Sequence, residues 1–522
     1  MLSYKLKGQK CMQALLGIDL GTTGVKAALF AAEDGHVLSD AFVDYPLFHP
    51  HPGWAEQNPA DWWQATITAI RTCLEKGATH NAQASDVRGI GLSGQMHGVV
   101  LLDVNQQVLR PCIIWADQRS DAQARWMTER VGASKLIEYA SNPALTGFSA
   151  PKLLWVRDNE PELFAQATTM LLPKDYIRYR LTGVMAMEIS DAAGTCLFDV
   201  KHGVWSQEVL NAIELSPSLL PPIVAADAVS GTVTDEVASL TGLIAGIPVA
   251  GGGADNACGA VGNGVVVPGL ALVSIGTSGV VLAHAETPQV DTSGPVPRVH
   301  TFNHAVPHTW YLMGVTQGAG LSLRWVRDNI GLPERALERW TGEDAYELLA
   351  REAVMAAPGS DGLIFLPYLQ GERTPHLDAY ARGGWIGLTA RHNRRHLIRA
   401  VLEGVAYSLK DCFTILREQG LSIEQMRATG GGAKSTIWRQ IIADVLGVEL
   451  VTTNATEGPA FGAALLAGVA SGVYASVQDA CEQTVRIVER TQPRSENERV
   501  YAEGYEVYKK LYPALKPIMS RS

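Results

Sequence analysis

The sequence predicts an α/β fold in which buried strands alternate with helices. Short apolar runs bounded by glycine turns are typical of strands buried on both faces. Such runs cover residues 14–20, 25–30 and 87–92, and a further strand is expected to start at Val37. Asn58-Pro59 predicts a helix between the third and fourth strands, because Asn58 can cap free backbone amides and Pro59 suits the first helical position.

A strand, a G-T-[ST]-G turn and a second strand occur twice, about half the chain apart. The first turn is 21–24, before Val25, and the second is 276–279, between the apolar runs 272–275 and 280–282. The recurrence indicates a duplicated unit with one phosphate-binding hairpin in each half. Coincidence is the alternative, because G-T-S-G is an ordinary turn.

The later elements follow from periodicity and composition. Helical spacing of apolar residues predicts a long helix after Gly384. Residues 256–285 are uncharged and long enough to cross a bilayer, but their glycines and Pro268 favour buried strands joined by turns. Three further elements are expected, namely a last strand region at 445–451, a closely packed helix of small residues at 459–465 and an amphipathic closing helix at 497–512.

Length and charge limit the class of protein. A chain of 522 residues is expected to form two large domains or three smaller ones. Its net charge of -10 argues against nucleic acid or an anionic membrane as the main partner. Seven cysteines without a C-x-x-C pair predict neither a disulfide framework nor a zinc knuckle, and favour the cytoplasm. The basic residues before Ala14 lack the apolar stretch of a signal peptide and are interpreted as a frayed extension.

Several familiar site signatures are missing from the sequence. The nearest match to a P-loop is 432–435, where Ala433 replaces the glycine before lysine. No G-x-G-x-x-G follows a strand, and no H-E-x-x-H occurs. His392 and His396 could share a helix face, but the surrounding arginines predict a solvated basic face rather than a metal site.

Three glycine-rich turns remain as candidates for binding phosphate. They are 21–24, 276–279 and 430–433. Backbone amides in such turns can approach an anion closely because no Cβ intervenes. Thr22, Thr23, Thr277 and Ser278 add hydroxyl donors. Together the turns predict a nucleotide cradle, with two for the phosphates and one for the base and ribose.

Two aspartates stand where apolar strands run into glycines. Asp19 precedes the first glycine turn, where a carboxylate could hold Mg²⁺ directly or through water. The alternative is a carboxylate that only fastens its own turn. Asp255 follows the apolar and glycine-rich run 248–254, where a lone carboxylate is costly unless it faces a polar cleft. It is predicted to be a base that receives the proton of an attacking hydroxyl.

The sequence motifs of this chain, taken in their order from the N-terminus, resemble those of the FGGY carbohydrate kinases of the actin/Hsp70 superfamily. The resemblance runs from Gly17 to about Tyr512, and its marks are residues 17–23, 151–156, 172–176, 190–195, 274–279, 367–375 and 430–433. It implies two ribonuclease H-like α/β domains flanking a catalytic cleft. The implied parts are an extension over 1–13, a sugar-binding domain over 14–264 and an ATP-binding domain over 265–515.

The resemblance also implies an activity. The segment 93–98 is most similar to the family members that phosphorylate D-xylulose, and the implied reaction uses ATP and Mg²⁺ to form D-xylulose 5-phosphate. The implied sugar contacts are Met96, His97, Asp255 and Asn256, and Trp115 is a weaker candidate for the same pocket. The implied contacts to the phosphates of the nucleotide are Thr22, Thr23, Gly276 and Thr277. The implied contacts to the adenosine are Gly431, Gly432 and Ala433, and Asp19 is implied to lie near Mg²⁺.

Other functions stay open from the sequence. A sister kinase for ribulose, another ketose, gluconate or glycerol would share everything but the pocket, and Met96-His97 speaks against it. A non-enzymatic relative that uses ATP as a switch would not need Asp255 beside a sugar pocket. The expected partners are the sugar and ATP, and a homodimer is left open.

Overall fold

The computed structural model describes residues 12–294 and 296–519 of the chain. The predicted N-terminal extension, 1–13, lies outside the described residues except for Met12 and Gln13. Among the described residues, no helix combines the length and the apolar character needed to cross a membrane.

The predicted α/β class is confirmed by the strands and helices along the described chain. The strands are β1 Ala14–Leu20, β2 Gly24–Ala31, β3 Val37–Asp44, β4 Glu56–Gln57, β5 Val87–Gly94, β6 Val100–Leu102, β7 Cys112–Ile113, β8 Thr169–Leu171, β9 Met187–Glu188, β10 Phe198–Asp199, β11 Val204–Trp205, β12 Ile223–Val224, β13 Val229–Thr232, β14 Pro248–Ala250, β15 Gly253–Ala254, β16 Gly269–Ile275, β17 Gly279–Ala285, β18 His300–Asn303, β19 Trp310–Thr316, β20 Ile364–Leu366, β21 Gly384–Ile386, β22 Ile423–Thr429, β23 Glu449–Thr453 and β24 Ile487–Thr491. The helices are α1 Pro59–Thr79, α2 Asp121–Val131, α3 Ala133–Ala140, α4 Ser149–Asn159, α5 Pro161–Phe164, α6 Pro173–Thr182, α7 Ile189–Ala192, α8 Gln207–Ala212, α9 Asp235–Thr241, α10 Asp255–Gly262, α11 Gly320–Asn329, α12 Leu332–Thr341, α13 Ala345–Ala353, α14 Arg394–Glu418, α15 Thr436–Leu446, α16 Gly458–Ala470, α17 Val477–Thr484 and α18 Ser495–Met519.

The chain forms two compact units. The first comprises Met1–Val266, Phe302–Trp310 and Ala455–Arg486, and the second comprises Val267–Thr301, Tyr311–Asn454 and Ile487–Ser522. Each unit is therefore built from segments that are distant in the sequence.

The first unit is organised around a mixed sheet with the strand order β13, β14, β5, β1, β2, β3. β1, β2 and β3 form an antiparallel meander, and β5 lies parallel to β1 on its other side. The four strands predicted at the start of the chain are thus confirmed. The helix predicted at Asn58-Pro59 is α1, whose first turn is capped by the Asn58 side chain accepting from the amide of Ala60 at 3.1 Å.

α16 packs against the first sheet at backbone distance, as the run of small residues predicted. A Cβ placed on Gly17 of β1 would lie 1.9 Å from the carbonyl oxygen of Ala460, and one on Gly91 of β5 would lie 1.8 Å from that of Ala463. No side chain fits in either place. Glycines on two neighbouring strands therefore allow the helix to approach the sheet closely.

The second unit repeats the core pattern of the first. β16 and β17 form an antiparallel hairpin, β22 lies parallel to β16, and β23 lies parallel to β22. The hairpin β1–β2 and the parallel strand β5 have the same arrangement. This shared topology supports the predicted duplication over coincidence.

Three sequence-based expectations need correction. Residues 445–451 are not all strand, because α15 continues to Leu446 and Gly447 ends it with a left-handed φ of 70° before β23 starts. The stretch 256–285 contains β16 and β17, but it begins in α10 rather than in a strand.

The prediction of a solvated basic face on α14 is also wrong for three of its residues. His396 and Arg399 are buried, and Arg399 donates to Glu403 at 2.7 Å. Arg394 lies 2.5 Å from Glu334 of α12. Acidic partners on α14 and α12 hold the two arginines against the protein, which the spacing of basic residues alone could not indicate.

Candidate active site

Three neighbouring strands of the first unit bring Asp19 and Asp255 to the same edge of the sheet. Asp19 on β1 is paired in register with Ser93 on β5, and Ser93 is paired with Gly253 on β15. Asp255 follows two residues later as the first residue of α10. Since these strands are parallel, their carboxyl ends meet at one edge, which is where α/β sheets bind ligands.

The Asp255 carboxylate is held by its neighbour Asn256. Oδ1 accepts from the Asn256 amide at 2.7 Å and from the Asn256 side-chain nitrogen at 2.8 Å. Burial and the negative charge of Asp19 raise the pKa of Asp255 to about 7, although the two bonds from Asn256 favour the ionised form. A carboxylate with such a pKa can accept a proton near neutral pH.

Asp19 is close to two charged groups of its own unit, Lys26 and Glu457. Burial raises the pKa of the Asp19 carboxyl, and the nearby hydroxyl of Ser93 and the ammonium group of Lys26 oppose this rise. Lys26 also forms an ion pair with Glu457, which immediately precedes α16. Asp19 Oδ1 is buried without a hydrogen-bond donor among the described residues. Such an acceptor suits Mg²⁺ or one of its water ligands.

Met96, His97 and Asn256 lie close together in the first unit. The Asn256 side-chain nitrogen is 3.9 Å from the Met96 sulfur. His97 Nδ1 donates to the carbonyl oxygen of Gly194 at 2.7 Å. A Cβ on Gly194 would lie 2.8 Å from the imidazole and 3.0 Å from the Met96 methyl group, so only glycine fits beside the pair. The aromatic edge of Phe148 packs on the His97 ring with centroids 4.7 Å apart.

Trp115 and Thr22 are joined to a buried polar network. The Trp115 indole donates to the Thr22 hydroxyl at 2.9 Å. Gln95 is 3.4 Å from the same hydroxyl and donates to Gln57 at 2.7 Å. Both glutamines are buried, so the network fixes the turn that follows Asp19. Thr23, the next residue of this turn, is exposed.

A buried cluster of charged residues fastens the glycine segment that leads to Asp255. Arg178 donates to the carbonyl of Gly251 at 2.8 Å, and the Ser190 hydroxyl accepts from the amide of Ala254 at 3.0 Å. Both side chains are fully buried. The segment is thus held at both ends, which limits the movement of the residue that follows it.

Lys174 is the centre of this charged cluster. Its ammonium group is 2.7 Å from Asp175, 3.6 Å from Glu188 and 3.4 Å from Asp191. Burial alone would lower the pKa of Lys174, but the three carboxylates together raise it. Burial raises the pKa of Asp191 well above its usual range, and the negative charge of Asp255 adds to that rise. Asp191 and the candidate base are therefore electrostatically linked.

The second unit contains a cavity of about 440 Å³ beside its own glycine turns. Gly276 and Thr277 of the hairpin turn line it together with Gly431 and Gly432. The cavity brings together two of the three predicted glycine turns. Ala433 is not part of its lining, since it is buried and its carbonyl oxygen accepts from Arg439 at 2.6 Å.

Several residues of this cavity had no signal in the sequence. They come from α11, α13 and the start of α15, and they include Arg324, Tyr346, Glu347, Ser435 and Trp438. Gln95, Lys152 and Lys174 lie inside the family motifs 93–98, 151–156 and 172–176, but the motifs alone do not predict a role for them. A charged or amide side chain inside an otherwise apolar motif is the signal that could have found them. The described residues contain no group of three or more His, Cys, Asp or Glu side chains arranged to hold a metal.

Comparison with protein families gives two successive matches that cover most of the chain. Residues 14–262 match the N-terminal domain of the FGGY family of carbohydrate kinases, and residues 271–471 match the C-terminal domain of that family.

Individual proteins match over almost the same length. The xylulose kinase of Bacillus subtilis (strain 168) is 41% identical over 507 residues, which cover 97% of this chain and 98% of that protein. The xylulose kinase of Escherichia coli (strain K12) is 40% identical over 506 residues, which cover 97% of this chain and 100% of that protein. A solved structure described as a xyloylose kinase from Brucella ovis is 39% identical, covers 97% of this chain and 100% of its own, and has a TM-score of 0.87.

Proposed function

Because the chain belongs to the FGGY family of carbohydrate kinases, we propose that it transfers the γ-phosphoryl group of ATP to the 5-hydroxyl group of D-xylulose. One observation supports the choice of sugar. The chain has about 40% sequence identity, over nearly its whole length, with proteins named xylulose kinase. The product is D-xylulose 5-phosphate, which serves the catabolism of pentoses.

In this proposal Asp255 is the base. Its carboxylate accepts the proton of the attacking hydroxyl, and its pKa of about 7 leaves a large fraction ionised at neutral pH. Asn256 holds one carboxylate oxygen through two hydrogen bonds, so the other oxygen is oriented for the proton. A modest base is sufficient because phosphoryl transfer has a loose transition state and depends mainly on positioning.

We assign the recognition of the sugar to the cluster around His97. His97 and Asn256 can bond sugar hydroxyls, and Met96 supplies an adaptable apolar wall. The 3.9 Å contact between Met96 and Asn256 supports a common site for the three residues. Trp115 belongs to this proposal through its bond to Thr22, which places the indole beside the turn after Asp19.

We assign the nucleotide to the glycine turns and to the cavity of the second unit. Thr22, Thr23, Gly276 and Thr277 would surround the phosphates. Gly431 and Gly432 of the third turn would face the adenosine. Ala433, which is buried outside the cavity lining, would only support the turn through the bond that its carbonyl accepts from Arg439. The volume of about 440 Å³ supports this assignment, because it suits a ligand of small-molecule size.

Magnesium ion, the usual companion of ATP in kinases, would be held near Asp19. The buried Oδ1 atom of Asp19 has no donor among the described residues, and an oxygen of this kind fits a hard divalent cation. When bound, the ion neutralises charge on the phosphates. Asp19 itself would orient the ion and its water ligands.

The domain assignment, the cellular location and the oligomeric state are also part of the proposal. Residues 14–264 would bind mainly sugar and 265–515 most of the ATP. A cytosolic location is consistent with the six described cysteines, which are all buried and take part in no disulfide. A homodimer stays a prediction.

The test is the release of ADP by the purified protein with Mg-ATP and one acceptor at a time. The acceptors are D-xylulose, D-ribulose, L-ribulose, D-fructose, gluconate and glycerol. Strong stimulation by D-xylulose is expected, with loss of at least about 100-fold in the Asp255→Asn variant. Stimulation by another polyol alone would refute the sugar assignment. ATP hydrolysis that no acceptor changes would instead favour the ATP-switch alternative.

A further inference from the structure

Lys152 is a fully buried lysine of α4 whose ammonium group bonds to backbone carbonyls. Among the described residues its hydrogen-bond acceptors are the carbonyl oxygens of His97 at 3.3 Å, of Phe148 at 3.1 Å and of Gly147. Its side chain is 0% exposed. A buried ammonium group is costly, and an apolar side chain of similar length would fill the same space at lower cost. The lysine therefore needs a reason beyond packing.

The three carbonyl groups give that reason, because they come from two segments that must meet beside the sugar cluster. One belongs to His97, just after β5, and the other two to residues 147–148, just before α4. Carbonyl oxygens that converge on one point repel one another unless a donor lies between them. The Lys152 ammonium group is such a donor, and it has a hydrogen for each oxygen.

His97 has a backbone that needs such support. Its φ is 71°, in the left-handed region that is unfavourable for a residue other than glycine. Two donors bind its carbonyl oxygen, Lys152 at 3.3 Å and the hydroxyl of Ser149 at 3.1 Å. These bonds fix the direction of the peptide after His97, and with it the direction of the side chain.

The imidazole of His97 is fixed independently at its other end. Nδ1 donates to the carbonyl oxygen of Gly194, so in the neutral ring Nε2 carries the lone pair. Phe148 packs on the ring edge-on, and its own carbonyl is one of the three bound by Lys152. The same lysine therefore acts on His97 by two routes, through its backbone and through the aromatic ring beside it.

We propose that Lys152, assisted by Ser149, is a positioning residue for the sugar site. It holds His97 in its left-handed conformation and so sets the geometry with which the imidazole meets a sugar hydroxyl. Lys152 does not touch the reacting atoms. The inference rests on the proposed function in one respect, the assignment of His97 to the sugar.

The kinetic test compares Lys152→Met with two other variants. Lys152→Met is expected to raise KM for D-xylulose by at least about tenfold and to change KM for ATP less than about threefold. Ser149→Ala removes one donor from the same carbonyl and is expected to give a smaller rise in the same direction. The matched control is Lys410→Met, which removes another lysine that donates to a backbone carbonyl, that of Val445 at 2.7 Å. The control should leave KM for D-xylulose unchanged.

A spectroscopic readout separates this inference from the proposed function. In protein labelled with ¹⁵N-histidine, the wild type should show one neutral tautomer for His97 with the proton on Nδ1. The signal is assigned by its loss in His97→Gln. Lys152→Met and Ser149→Ala should shift or broaden it, whereas Lys410→Met should not. This result is independent of which sugar the enzyme accepts.

Two results would overturn the inference. One is an unchanged His97 signal in both Lys152→Met and Ser149→Ala. The other is a folded Lys152→Met variant whose KM values for sugar and ATP rise by equal factors. If Lys152→Met does not fold, the same two measurements on Ser149→Ala, the His97 signal and the KM values for sugar and ATP, test the inference. If the wild type shows no response to D-xylulose but the His97 signal moves as expected, the positioning role stands and the proposed substrate falls.

Discussion

Replacement of Asp255 by asparagine is expected to stabilise the protein while it removes the base. The folded protein raises the pKa of Asp255 from 3.8 to about 7, first through burial and then through the charge of Asp19. The unfolded chain therefore releases this proton at lower pH than the folded protein does. Stability due to this group falls as the pH rises from about 4 to about 7, and the full cost is present above pH 7.

The size of the effect follows from the same shift. A rise of about three pH units corresponds to about 4 kcal/mol at about 1.4 kcal/mol per unit. Asp255 is only partly buried in terms of accessible surface, so solvent and relaxation reduce this value, and about 2–4 kcal/mol is a reasonable range. Asparagine keeps the acceptor oxygen for the two Asn256 bonds and has no charge to bury. A gain of this size would raise the midpoint of thermal unfolding of the first unit by about 3–6 °C.

The assay is differential scanning calorimetry of the wild type and the variant at pH 5 and pH 8. The variant should unfold at a higher temperature at pH 8, and the difference should be about half as large or less at pH 5. At pH 5 the carboxyl is protonated in the folded wild type, but it is already largely ionised in the unfolded chain. The control is Asp235→Asn, which removes an exposed acid from the first turn of α9. Its loss of a favourable charge at the positive end of a helix should lower the midpoint slightly.

Two outcomes would refute this reasoning. Asp255→Asn could lower the midpoint at pH 8, which would mean that the ionised carboxylate contributes more to folding than its burial costs. The difference between variant and wild type could also be equal at the two pH values. In that case the titration of Asp255 between pH 5 and pH 8 would not be its source.

Two further predictions concern packing and the edge of the site. Gly262→Ala should lower the free energy of unfolding, measured by urea denaturation, by about 1–3 kcal/mol, because its Cβ would lie 2.2 Å from the carbonyl oxygen of Gly458. Gly259→Ala, on the same helix but with its nearest contact at 3.9 Å, should be neutral or slightly stabilising, and equal losses in both variants would contradict the packing argument. Trp115→Phe removes the 2.9 Å bond to the Thr22 hydroxyl and should raise KM for D-xylulose about threefold to tenfold with little change in stability. An unchanged KM would exclude Trp115 from the sugar site.

The sequence could predict those parts of the candidate site that lie on single segments. Asp19 and Asp255 were found because each is a carboxylate at the point where an apolar strand runs into glycines. The family motifs added His97 and Asn256. The long-range network could not be predicted, since the bond from Trp115 to Thr22 joins residues 93 positions apart along the chain. Nor does any pattern in α13 indicate that Tyr346 lines the same cavity as Gly431.

By itself the sequence determined the local elements, because the periodicity of apolar residues and the cap at Asn58 act within a few residues. It also determined the order of strand, glycine turn and strand that occurs in both halves. Only the tertiary structure decided where α16 packs, since the match between Gly17 and Ala460 depends on the approach of two distant backbones. It likewise decided that Lys152 is buried beneath His97. The energy of a buried charge depends on which groups surround it, and those groups come from separate parts of the chain.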